Sequence, residues 1–247
     1  MVTTSTLAIT WEKLPDDFVL DNDPVDNINQ PLLAAALSES LQLSGKLPAN
    51  ALTTTNYGIC ATVNQKIVVK APDWSFIPAI RVPREDVDRS YTPQLQGDIP
   101  AVVMEFLSAT DGGEYSVKPT HPPGKWLFYE QILAVPTYVI FALDTGALEV
   151  YHLNESGRYQ LSTSDVNDRY WIAQMNLFLG VWQGTRENRT GNWLRWWDDA
   201  GNLLLWGFEK AAQLQERADR LAAQLRAAGI EPESGYRLPH LVKCLMQ

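Results

Sequence analysis

"VVKAPDWSFI", residues 68–77, decides how the chain folds, because a proline and an aspartate stand between two runs of β-forming residues. A proline has no N–H for a ladder, so Pro72 is tolerated only at a strand start, a bulge or an edge, and a new strand opens at Asp73. Thirty residues on, "AVVMEFLS" at 101–108 is short and almost wholly apolar, the composition of a central strand buried on both faces. Glu105 sits inside that run, between Met104 and Phe106, where an unpaired charge carries a heavy desolvation cost. Something must compensate it. The residues between the two strands, 78–100, hold four prolines and many charges and read as a long surface connection. If the strands it joins are neighbours, Asp73 and Glu105 can point at one place.

Working outward, the chain turns toward β character between Tyr57 and Val69. Before that, "PLLAAALSESLQL" at 31–43 predicts a helix with Leu32, Ala35, Ala36 and Leu43 on its apolar face, Pro31 in its first turn and Gly45 beyond its end. Residues 1–30 mix acidic and turn-forming residues and predict no regular element. On the other side, "ATDGGEYSVKPTHPPG" breaks regular structure, and "KWLFYEQIL" restores a helical pattern with Trp126, Tyr129 and Leu133 spaced three and four apart. "TYVIFAL", "ALEVYHL" and "RYQLS" follow as strands, the first two joined by a "DTG" turn. "LFLGVWQG" and the tryptophan-dense "NWLRWWDDAGNLLLW" come after them, with "DDAGN" as another turn. From 203 to 228, Leu204, Gly207, Ala211, Leu214, Ala218, Leu221, Leu225 and Ala228 alternate spacings of three and four, which is a heptad seam. That helix either packs on its own domain or pairs with a second chain, and a homodimer is the expectation carried forward. The pattern as a whole predicts an α/β fold with a mixed central sheet flanked by helices and a long C-terminal helix. Residues 1–202 are expected to form one domain, 203–229 the heptad helix and 230–247 a tail.

The totals narrow the function classes. The chain has 247 residues, 45% of them hydrophobic, enough for a full core. A net charge of −9 repels polyanions on average, so any nucleic-acid contact must be local. Cys60 and Cys244 are too few and too far apart for a disulfide framework or a paired-cysteine zinc site, and the start lacks the pattern of a leader. No apolar run spans a bilayer, so a cytoplasmic protein with no membrane partner is expected, and the sequons at Asn154 and Asn188 carry no meaning there. His121, His152 and His240 are scattered, and no G-x-S-x-G elbow, P-loop or G-x-G-x-x-G occurs. The nine tryptophans read as core more readily than as a base-stacking platform. Arginines at 81, 84, 89, 186, 189 and 195 read mostly as solvated loop charges.

Asp73, Glu105 and Lys125 form the candidate constellation. Two hard oxygen donors at one place suit Mg²⁺ or Mn²⁺, which keeps several waters and can lower the pKa of one for attack on a phosphodiester. Lys125, at the start of the next helix, would stabilise charge developing on the phosphorus. Tyr129 lies one turn further on and would orient a phosphate or the lysine. Against this stands a plainer reading, in which an Asp after a Pro is a turn residue and a Glu in a strand faces water or an arginine.

The ordered set "LLAAALSESL", "APDWSFI", "AVVMEFLS", "GKWLFY" and "TYVIFALD" resembles the restriction-endonuclease-like family of unknown function, a branch of the PD-(D/E)XK nuclease superfamily, over roughly residues 30 to 200. The resemblance implies a restriction-endonuclease-like fold and a Mg²⁺- or Mn²⁺-dependent deoxyribonuclease that hydrolyses DNA. It implies Asp73 and Glu105 as metal-binding acids, the carbonyl of Phe106 as a third ligand and Lys125, from the following helix, as the lysine. Leu107 stands where the superfamily's usual lysine would be, and His121 where the branch commonly has an aspartate four residues before the lysine. Lys118 is the fallback lysine. The first helix of the family often adds an acid, for which Glu39 is the candidate. The alternative is a catalytically silent relative that acts as an interaction module through its heptad helix.

Overall fold

The structure, a computed structural model, describes residues 7–13, 15, 28–107 and 113–232. Cys244, His240, most of the expected tail and the greater part of residues 1–30 lie outside the described residues. The chain runs β1 (Ile9–Thr10), α1 (Asn29–Leu43), β2 (Leu52–Thr54), β3 (Ile59–Val63), β4 (Lys66–Lys70), β5 (Trp74–Ile77) and β6 (Val102–Leu107). Then come α2 (Lys125–Leu127), a π-helical turn over Phe128–Leu133, β7 (Thr137–Ala142), β8 (Leu148–Leu153), β9 (Tyr159–Leu161), β10 (Arg169–Ile172), β11 (Leu177–Arg186), β12 (Arg189–Trp197) and α3 (Gly207–Ala227).

A six-stranded sheet in the order β2-β5-β6-β7-β8-β9 forms the centre. Its β6–β7 pair is parallel and its other pairs are antiparallel, so the α/β fold with a mixed sheet is as the pattern predicts. Side chains alternate across the sheet. Trp74, Phe76, Met104, Phe106, Val139 and Phe141 pack on one face, beneath α1 and the tryptophans of β12. Val103, Tyr138 and Ile140 pack on the other, against Leu127, Phe128, Tyr129 and Leu133 and against Ile59 and Val68 of the small β1-β3-β4 sheet. The site residues belong to this second face.

Several expectations shift. The buried face of α1 is Gln30, Leu33, Ala34, Ala36, Leu37, Ser40 and Leu41; Leu32 packs partly buried at its edge, while Ala35 and Leu43 are exposed. The helix is so rich in Ala and Leu that periodicity left its orientation open; its polar Gln30 and Ser40 turn inward because each finds a backbone acceptor. The connection at 78–100 is partly interior: Val87, Tyr91, Thr92 and Gln96 are buried, and the Gln96 side chain both accepts from the Thr92 N–H and donates to the Asp86 carbonyl. Its polar residues serve its own backbone as well as water.

The arginines depart furthest from expectation. Arg186 and Arg195 lie on the long β11–β12 hairpin and are buried. Arg195 stacks 3.4 Å above the Trp206 ring and reaches Glu209 through Nη1 (3.1 Å) and Nη2 (2.6 Å). Arg186 approaches the same ring and pairs with Glu39 at 2.6 Å. A planar guanidinium can stack on an aromatic face while its edge meets a carboxylate, and that combination makes its burial tolerable. Trp74, Trp193, Trp196, Trp197 and Trp206 are core residues.

The C-terminal helix begins at Gly207, not 203. Leu204 is buried in the extended segment before it, and Glu209 accepts the Trp206 N–H at 2.8 Å, capping the helix start from within. No residue of α3 is buried, so beyond its first turn the heptad seam does not pack on the described domain. No helix of the described residues is long and apolar enough to cross a membrane.

Candidate active site

Asp73 and Glu105 meet because of strand register. Trp74 pairs with Met104, Ser75 with Val103 and Phe76 with Val102, so one further step sets Asp73 opposite Glu105. Directly opposed residues of an antiparallel pair share a face, with Cβ atoms about 4.5–5.5 Å apart. Trp74 and Met104 both face α1, so Asp73 and Glu105 both face the π-helical turn. Pro72 ends the ladder before them, and the Asp73 carboxylate takes over as acceptor: the Phe106 N–H donates to its Oδ2 at 2.5 Å. Pro72 and Asp73 thus act as one unit at the strand's start.

Glu105 is completely buried. Its Oε2 accepts from Lys125 Nζ at 2.9 Å and its Oε1 from the Tyr129 hydroxyl at 2.9 Å. Lys125 opens α2 and Tyr129 lies one turn on, so both donors come from one face of a short helix laid over the sheet. Burial drives the Glu105 carboxyl up to about 8, opposed by the Lys125 ammonium and reinforced by the Asp73 charge. Burial pulls Lys125 down, but Glu105, Asp73 and Glu114 together outweigh it and hold the ammonium charged. Burial likewise raises Tyr129, which stays a neutral donor.

Three groups escaped the sequence reading. Glu114, in a short turn after β6, is buried; its Oε1 lies 3.6 Å from Lys125 Nζ and its Oε2 has no hydrogen-bond partner among the described residues. Lys70, at the end of β4, shares a face with Val68, which packs in the cluster of Leu127, Phe128 and Tyr129. Burial lowers its pKa, and the charges of Lys125 and Lys118 lower it further against the opposing pull of Glu105. Gln30 of α1 donates to the Phe106 carbonyl at 2.6 Å. Only Gln30 had a signal, as the polar residue of an otherwise apolar buried face.

Glu39 is placed elsewhere. Its carboxylate pairs with Arg186 and lies 3.3 Å from the Gly207 N–H, tying α1 to the β11–β12 hairpin and α3 instead of joining Asp73. Lys118 and His121 are exposed.

The donors fit a hard divalent cation. Asp73 and Glu105 oppose each other across the strands, the Phe106 N–H donates to Asp73, and the Phe106 carbonyl accepts from Gln30. Glu114, buried like Glu105, has one oxygen with no hydrogen-bond partner among the described residues and the other 3.6 Å from Lys125 Nζ. Among the described residues no three His, Cys, Asp or Glu side chains are grouped closely enough to hold an ion unaided. Two carboxylates, a carbonyl and water would have to suffice, a set suited to Mg²⁺ or Mn²⁺ and not to a softer ion.

A family model, Uma2, described as "Putative restriction endonuclease", matches residues 33–186, more than half of the chain. No curated protein matches the chain.

Proposed function

The chain belongs to the Uma2 family of restriction endonuclease-like proteins, and from that premise we propose that it is a Mg²⁺- or Mn²⁺-dependent deoxyribonuclease whose metal is held by Asp73, Glu105 and the Phe106 carbonyl. The observation that carries the reading is the opposition of Asp73 and Glu105 on one sheet face, with Lys125 reaching over them. When bound, the cation supplies charge neutralisation and a water acidic enough to attack phosphorus near neutral pH. Asp73 is fixed by the Phe106 N–H, so its carboxylate is pre-aimed. Tyr129 holds Glu105 by Oε1 and sets its rotamer. Lys125, partly exposed, offers its ammonium to the negative charge that grows on the transferred phosphoryl group. Lys125, with Lys70 and Lys118 as further cations, would give an otherwise acidic protein a local seat for a phosphate backbone.

The test is thermal and enzymatic. A ligand that binds only the native state raises the melting temperature. Millimolar Mg²⁺ or Mn²⁺ is expected to stabilise the wild type, Asp73→Ala to abolish the rise, and both Asp73→Ala and Lys125→Met to abolish cleavage of plasmid DNA. A wild type indifferent to both ions, or an equal rise in Asp73→Ala, rules the reading out.

A second reading has its own support. The heptad seam of α3 leaves Leu214, Leu221 and Leu225 exposed on the described structure, as a helix awaiting a second copy would. On that reading the protein is a silent member of its family that acts by association.

A further inference from the structure

Lys125 blocks the site it serves. Both oxygens of Glu105 are occupied, Oε1 by Tyr129 and Oε2 by Lys125. An ammonium 2.9 Å from Oε2 stands where a cation bound to that oxygen would be. A doubly charged ion and an ammonium repel too strongly to share one oxygen at such range. Loading therefore requires the lysine to leave, and a half-buried ammonium cannot be left without an acceptor.

Glu114 is built as that acceptor. Its Oε1 is already 3.6 Å from Lys125 Nζ, and its Oε2, buried, has no partner among the described residues. A buried carboxylate oxygen left unsatisfied is uncommon and calls for an explanation. The backbone around it is pinned. The Tyr138 hydroxyl donates to the Glu114 carbonyl at 2.9 Å. Gly124, just before Lys125, lies so close to Ser116 that a Cβ there would fall 2.0 Å from the Ser116 carbonyl oxygen. The two segments that carry Glu114 and Lys125 are thus held side by side, with Nζ 2.9 Å from one carboxylate and 3.6 Å from the other, so a transfer between them would need side-chain rotation alone.

Resting on the metal-dependent reading above, we propose that Glu114 is a positioning residue that takes over Lys125 when a divalent cation binds Glu105, so that the lysine moves between a closed seat on Glu105 and an open seat on Glu114. The open seat keeps the ammonium beside the cation without opposing it, where it can meet substrate phosphate.

The experiment is Mn²⁺ binding by calorimetry to the full chain, in wild type, Glu114→Gln, Lys125→Met, and the two combined, with Lys125→Gln in reserve should the methionine variant not fold. Glu114→Gln is expected to weaken Mn²⁺ binding about 10–100-fold, the range for residues that orient a metal ligand from outside. Lys125→Met is expected to tighten it, and adding Glu114→Gln to Lys125→Met to change it no further, because the two residues act as a unit. No effect of Glu114→Gln in wild type overturns the proposal, and so does an equal weakening without Lys125, which would make Glu114 a direct ligand. If Mn²⁺ binds and Asp73→Ala abolishes it while Glu114→Gln does nothing, the metal site survives and only the second seat falls. If no variant binds Mn²⁺, both are lost.

Discussion

Glu105 has the most demanding position of any residue in the protein. It is a carboxyl group with no solvent, flanked by one cation, one phenol and a facing aspartate. Its folded pKa, about 8, stands above its ordinary value of 4.5. In the window between them the folded state binds the proton that the unfolded state has lost, so stability falls as pH rises. The contribution is complete below the unfolded pKa and gone once pH has passed through the folded one. In chelator, the wild type is expected to melt lower at pH 8 than at pH 5, and Glu105→Gln to remove a component of that slope on the order of 5 °C. Equal slopes in the two proteins would contradict the assignment. Arg195 makes a second demand: its guanidinium bridges Trp206, Glu209 and the Leu204 carbonyl. An ammonium cannot stack flat and fork to a carboxylate together, so Arg195→Lys is expected to cost about 2–3 kcal/mol in urea unfolding. A loss no larger than that of an exposed arginine would show the stack to be idle.

Among elements, the segment 113–127 is the one on which the site depends. Ser116 and Gly124 touch through backbone, the Gly124 N–H donates to the Lys118 carbonyl at 2.9 Å, and Lys125 begins its helix at once. Gly124→Ala has no room for its methyl group and is expected to destabilise the fold by about 1–3 kcal/mol and to weaken Mn²⁺ binding, read by thermal melting and calorimetry. Full stability in that variant would mean the segment is looser than drawn. This segment also marks where sequence reading stops. The strands around Asp73 and Glu105 were legible because a proline, an aspartate and an apolar run have few structural meanings. The helix bearing Lys125 and Tyr129 was legible from spacing. Glu114 was not, since a buried acid in an irregular stretch differs from a solvated one only by its surroundings. Arg186 and Arg195 were misread for the same reason: composition does not show that Trp206, Glu39 and Glu209 converge on them. In α1 the face was ambiguous because nearly every residue was apolar, and only the contacts of Gln30 and Ser40 settle it.

At the scale of the molecule, α3 divides into an anchored start and an exposed remainder. Its first turn belongs to the domain: Glu209 holds Arg195, and Lys210 Nζ donates to the Leu43 carbonyl at 2.7 Å. The rest is exposed, with leucines at heptad spacing. Deleting residues 212–247, which spares those anchors, is expected to halve the mass measured by light scattering while leaving the melting curve of the domain intact. An unchanged mass would remove the dimer. The central sheet has one further consequence, which concerns time. Its β7–β8 and β8–β9 pairs are local hairpins, but β6 meets β7 side by side only after the intervening crossover has been drawn across the sheet. Local pairings form first and distant ones last. Lys125, Tyr129 and Glu114 all ride on that crossover, so in refolding the cluster around Glu105 is completed only at the final stage of assembly.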